Sequence, residues 1–217
     1  VGVNLGYSRL TRGARKILDL EASLGINIPW AICFEYREGG SFADVQDFSR
    51  LITAGKAHGI YSYFFTCDVS AIPVLLSLSS AHRDCAFVLF AKPGPLPLEM
   101  VEQLYGAANL MACLNGSDVH FLHNATQLKA RKLLYSAYAP YNDETAAFAG
   151  SEEDLRRVLQ SESVFLIWVA ERGCSHEARE EMYAQTLSIR KGQMYPVFVM
   201  DFFADLRYID HVISEQS

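Results

Sequence analysis

Side chains capable of chemistry fall at the ends of short apolar runs along the chain. They are Glu35 and Tyr36, then Thr66, Cys67 and Asp68, then Lys92, and later Asn115, Tyr138, Glu171 and Asp201. Carboxylates such as Glu35, Asp68 and Asp201, gathered at one mouth, suit acid/base work or a hard divalent cation. Lys92 closes an apolar run, and a desolvated lysine forms Schiff bases with carbonyl compounds. Cys67 offers a thiol nucleophile, although no histidine lies near it in sequence. Each has a plainer account. Strand ends are commonly polar, Pro93-Gly94-Pro95 turns Lys92 outward, and an isolated thiol packs as a small apolar group.

Other patterns carry less. The six histidines show no metal-ligand spacing; His120 and His123 are the nearest pair, on an exposed loop or helix start. Cys33, Cys67, Cys85, Cys113 and Cys174 form no C-x-x-C pair and read as reduced thiols of a cytoplasmic protein. No metal site is expected from these residues. Asn124-Ala125-Thr126 is a glycosylation sequon by pattern alone, and Gly39-Gly40 and Gly94 are turn glycines rather than a phosphate cradle.

These residues need elements to hold them. Strand-like runs at 31–35, 60–66, 86–92, 109–114, 132–138, 164–170 and 196–201 are nearly continuously apolar, as parallel strands buried on both faces would be. Helical patterns alternate with them at 42–58, 70–81, 96–105, 151–160 and 175–191. The fourth opens on Ser151 with acidic residues behind it, as a capped helix start would, and Gly59 and Gly192 sit where left-handed helix ends are expected. A βα unit every 25 to 30 residues, roughly, predicts right-handed crossovers. The fold expected is α/β, a partial or near-closed (β/α)6-7 TIM-like barrel of parallel strands, with an open doubly wound sheet as the alternative. One domain over 1–217 is expected, with a helical lead-in at 1–25, βα units over 26–205 and a tail over 206–217.

Composition sets further bounds. With 19 Lys and Arg against 25 Asp and Glu, the 217-residue chain carries a net charge of −6, which argues against binding nucleic acid or anionic lipid. No apolar run reaches the ~18 residues of a membrane span. The chain begins at Val1 rather than Met, as a fragment or an incomplete gene model would.

The order of segments resembles the radical SAM enzymes, in particular the subgroup with a C-terminal auxiliary-cluster segment. Asn27-Ile28-Pro29-Trp30-Ala31-Ile32 is similar to the entry of that family's first strand. Gly55-Lys56-Ala57-His58-Gly59 with 61–66 is similar to its first helix end and second strand, and 82–88 to the entry of its third strand. The aromatic, acidic stretch 195–205 resembles the segment before the auxiliary cysteines. The resemblance implies a barrel of the radical SAM type.

The departures fall at the turns that hold the cluster and cofactor in that family. There the first strand runs into a C-x-x-x-C-x-x-C loop whose thiolates bind a [4Fe–4S] cluster. Here Glu35 is followed by Tyr36-Arg37-Glu38-Gly39-Gly40, with only Cys33 near, inside the strand and buried by pattern. The family's Gly-Gly-Glu-Pro turn receives the methionyl amine; here Thr66 is kept and Cys67-Asp68-Val69-Ser70 follow. The family's Thr-Asn-Gly reads Ala91-Lys92-Pro93, the connection from Asn115 to Lys132 looks trimmed, and Val212 stands near where an auxiliary cysteine is expected. Strand and helix bodies are kept while the turns change, as expected of a pseudoenzyme that binds without radical chemistry.

The expectation is therefore a degenerate radical-SAM-like binding protein without a [4Fe–4S] cluster, whose partner is a catalytic paralogue or a substrate protein. Trp30, Tyr36, Phe202, Phe203 and Tyr208 are its candidate aromatic contacts. A cluster-free enzyme using Lys92, Asp68, Glu35 and Asp201 is the alternative. A third reading is a relative that binds S-adenosylmethionine through Thr66, Cys67 and Asn115.

Overall fold

The computed structural model describes residues 2–36, 45–146, 152–193 and 195–214, with side chains described from Gly13 in the first helix and from Leu155 in the sixth. The expected cap at Ser151, the start of the helix at 42–44 and the turn at Gly39-Gly40 lie outside the described residues. The chain divides into two compact units. One comprises Val1–Lys92, Leu96–Met111 and Tyr208–Ser217; the other comprises Pro93–Pro95 and Ala112–Arg207.

In the first unit, α1 (Gly2–Leu24) leads into β1 (Ala31–Glu35), α2 (Val45–Ala57), β2 (Ser62–Cys67), α3 (Ile72–Ala81), β3 (Ala86–Ala91) and α4 (Leu98–Leu104). The strands pair in parallel, Glu35 beside Thr66 and Cys67 beside Ala91. Helix α2 forms because Phe48, Ile52 and Gly55 fall on one face, and that face is buried. A Cβ at Gly55 would overlap the Tyr63 hydroxyl, which donates to the carbonyls of Ile52 (3.1 Å) and Ile60 (2.9 Å). Phe34, Phe48, Tyr63, Phe65 and Phe87 form the aromatic core between sheet and helix. Gly59 takes φ +90° after α2, as its sequence position requires, and lies so close to α1 that a Cβ on Gly13 would meet its carbonyl oxygen at 2.6 Å.

In the second unit, β4 (Leu110–Asn115), entering from the first, is followed by α5 (Phe121–Ala130), β5 (Tyr135–Tyr141), α6 (Glu152–Ser161), β6 (Phe165–Ala170), α7 (His176–Gly192) and β7 (Phe198–Asp201). The pairs β4–β5, β5–β6 and β6–β7 are all parallel. The seven expected strands are present, in chain order within each unit, and the fold class is α/β of the partial TIM-barrel type. Two helices were not expected. Helix α5 occupies the connection that looked trimmed, burying Phe121, Ala125 and Leu128. Helix α8 (Phe202–Ser214) follows β7 without a loop and takes in most of the expected tail.

Two further expectations are corrected. Gly192 is the last helical residue of α7, and Gln193 takes the left-handed conformation instead, with φ +47°. β1 is not buried on both faces: Cys33 and Glu35 are exposed, on the face opposite the aromatic core. No described helix is long and apolar enough to cross a membrane.

Candidate functional site

Within the first unit, the pleat decides what each strand-end residue can do. Along β2, Tyr63, Phe65 and Cys67 are buried, while Ser62, Phe64 and Thr66 take the opposite face and are partly open. Burial pushes the Cys67 thiol up to about 12, with the neighbouring Asp68 adding to the rise, so the thiolate that nucleophilic chemistry needs is disfavoured. Cys33, accessible rather than interior, is still flanked by enough of the sheet to be pushed up to about 11. Glu35 is exposed beside Thr66, and Tyr36 is buried, its N–H donating to the Thr66 carbonyl at 2.8 Å.

Asp68 begins the 3-10 turn Val69–Ala71, yet its side chain does not cap that turn. Its carboxylate accepts from Lys92 Nζ at 3.3 Å, and the Lys92 N–H donates to the Cys67 carbonyl at 2.9 Å. The residues after β2 and β3 are thereby tied together, with Thr66, Asp68 and Lys92 gathered at one end of these strands. Lys92 is 35% exposed and paired, far from the desolvated state that Schiff-base chemistry favours.

In the second unit, Asn115 at the end of β4 donates to the Tyr138 hydroxyl at 3.5 Å and accepts from the Ser117 N–H at 2.9 Å; both Asn115 and Tyr138 are buried. Asp118 accepts from the N–H groups of Gly94 (2.7 Å) and His120 (3.1 Å). Asn124, the sequon asparagine, is 3% exposed and donates to the Gly94 carbonyl, so it is a structural helix residue with no access for a glycan. Glu171 is exposed and accepts from Asn142 at 3.0 Å.

Asp201 is turned away from solvent. One carboxylate oxygen accepts from the Ala204 N–H at 2.8 Å, capping α8, and the other accepts from the Tyr141 hydroxyl at 2.7 Å. Burial raises its pKa, and those two hydrogen bonds pull partly against the rise. Its own N–H donates to Asp205, which Arg190 grips with both terminal nitrogens while Arg190 Nε bonds the Val199 carbonyl. Tyr141, Arg190 and Asp205 were not singled out from sequence. The signal available was an apolar run ending in Asp with a second Asp four residues on, the pattern of a helix start.

A [4Fe–4S] cluster requires several thiolates converging on it. All five cysteines lie among the described residues, and no group of three or more His, Cys, Asp or Glu is placed there to hold a metal. Burial raises Cys33, Cys67, Cys113 and Cys174 as thiols. Among the described residues, no set of thiolates converges as such a cluster requires.

No protein-family model and no curated protein matches this sequence. Among solved structures, Streptococcus suis SuiB, a radical SAM enzyme, is similar at a TM-score of 0.61 and 11% identity, over 87% of this chain and 53% of that one. SuiB bound to its precursor peptide SuiA gives 0.59 and 9%, over 87% and 52%. SuiB bound to S-adenosylmethionine gives 0.57 and 12%, over 87% and 51%. The chain spans about half the length of the SuiB chains it matches. At this identity the likeness is one of fold: this chain shares the α/β partial-barrel fold of SuiB.

Proposed function

We propose that this chain is a radical-SAM-like domain that works by binding a peptide or protein partner and carries out no radical chemistry of its own. The carrying observation is the end of β2 and β3, where the Asp68–Lys92 ion pair and the inward-turned Cys67 stand at the turns that in radical SAM enzymes serve the cofactor. The partner class is supported by SuiB, whose structure with the precursor peptide SuiA shares this fold. A catalytic paralogue would meet the same need. A cytoplasmic setting belongs to this reading, since all five cysteines are unpaired. The test is reductive cleavage: with S-adenosylmethionine and dithionite under anaerobic conditions, the chain forms no 5′-deoxyadenosine. Formation at one equivalent per chain or more overturns the reading.

A second reading is favoured by the SuiB structure bound to S-adenosylmethionine. In this reading the cofactor is bound and left intact, with Thr66 at the end of β2 or Asn115 at the end of β4 as a contact; Cys67, buried on the other face of β2, is not one. Titration calorimetry with S-adenosylmethionine decides it. Saturable heat that Thr66→Val or Asn115→Ala removes supports it, and no heat at millimolar ligand overturns it.

A further inference from the structure

A half-open cavity of about 320 Å³ lies in the second unit between the last turn of α7 and the start of β7. This is the amino end of β7, opposite the end that carries Asp201. Its volume is at the lower end of small-molecule sites. Ile189, Val197 and Phe198 give it an apolar wall, while Arg190, Gln193 and Tyr195 bring polar groups; among the described residues, no carboxylate lines it.

Three features distinguish this cavity from an incidental dent. Arg190 carries five N–H donors, of which Nε is spent on the Val199 carbonyl and one on each terminal nitrogen on Asp205, so two remain. The guanidinium lies 4.9 Å from the centroid of the Phe198 ring, which is 52% exposed, so the ring is fixed beside those donors. At the rim, Gln193 holds φ +47°, a conformation usually left to glycine, although Gly192 stands one residue before it. A side chain carrying an amide is thus kept at the rim at a conformational cost.

We infer that this cavity binds a small aromatic carboxylate, its ring on Phe198 and Val197 and its carboxylate on one remaining Arg190 N–H and the Gln193 amide. The carboxylate can come from a free acid or from the C-terminal aromatic residue of a peptide.

N-acetyl-L-phenylalanine titrated into the full chain, followed by methyl NMR, tests this. Saturable shifts confined to Ile189, Val197 and Val199 are expected, with the corresponding amide at least tenfold weaker. Phe198→Ala, at a half-exposed position, and Val197→Trp, which fills the cavity, should each abolish the shifts while circular dichroism stays native. Gln193→Gly should raise the thermal midpoint and weaken the probe, a combination that a purely structural Gln193 would not give. Tighter binding of a tetrapeptide ending in free phenylalanine assigns the site to chain ends, and tighter binding of the single acid assigns it to free metabolites; either supports the inference. No saturable shift at about 10 mM, above the affinity range of such fragments, or equal binding of acid and amide, overturns it.

Discussion

Asp68 Oδ2 and Lys92 Nζ lie 3.3 Å apart, joining the turn after β2 to the residue after β3. Their side chains are 58% and 35% exposed, so water and salt screen the attraction. Lys92→Ala and Asp68→Ala are each expected to change unfolding free energy by less than about 1 kcal/mol in urea. A larger loss would show that the pair supports the fold rather than merely occupying these turns.

The same geometry bears on covalent chemistry at Lys92. Ion-paired and partly open, its amine is expected to give no borohydride-trapped adduct with a panel of aldehydes and ketones above the level of other surface lysines. Selective trapping, read by mass spectrometry and lost in Lys92→Arg, would favour a cluster-free enzyme instead.

Arg190 and Asp205 close the free edge of β7. Phe198 directs its N–H to Val164 of the β6 side, so the alternating Val199 and Asp201 face away, where Arg190 takes the Val199 carbonyl and Asp205 the Asp201 N–H. Asp205 is 9% exposed and Arg190 20%, so removing one partner strands a buried charge. Arg190→Ala should cost about 3–5 kcal/mol in urea unfolding and promote aggregation. Arg190→Lys should recover little of it, because an ammonium cannot reproduce the bidentate grip. A loss within 1 kcal/mol, roughly the scale of a surface pair, would contradict this account.

Asp201 makes a pH-dependent contribution of opposite sign to a salt-bridged acid. Its folded pKa is raised, chiefly by burial, above the 3.8 of the free side chain. The stability held by the protonated form is therefore complete below 3.8 and lost as pH rises through the folded value. Asp201→Asn keeps the acceptor for the Ala204 N–H and stays uncharged. It should raise neutral-pH stability and flatten the slope above 3.8 in unfolding measured across pH. Lower neutral-pH stability with an unchanged slope would show that the charge itself is required.

The seven strands were legible because their β-branched and aromatic runs recur at a regular spacing. Helix α5 was legible in principle, since Phe121, Ala125 and Leu128 recur on one helical face, but no side-chain cap marks its start. Helix α8 was harder to see. It begins directly after β7, and its buried face includes Asp205, whose charge hides the apolar period. Among the candidate residues, Asp68 and Lys92 do meet, whereas Asp201 was misplaced as an open strand-end carboxylate. Its orientation depends on Tyr141 and Arg190, sixty and eleven residues away, and on a helix that sequence had not revealed. Cys33 was expected inside the sheet because its run is apolar. Yet β1 pairs with β2 and ends the strand order, and the face bearing Cys33 is open.

The most direct measurement is anaerobic reconstitution of the full chain with ferrous iron and sulfide, followed by iron analysis and absorbance before and after dithionite. With five scattered cysteines and no converging ligand set among the described residues, the account predicts no stoichiometric cluster and no reducible band after desalting. Stable uptake of one reducible [4Fe–4S] cluster per chain would contradict it.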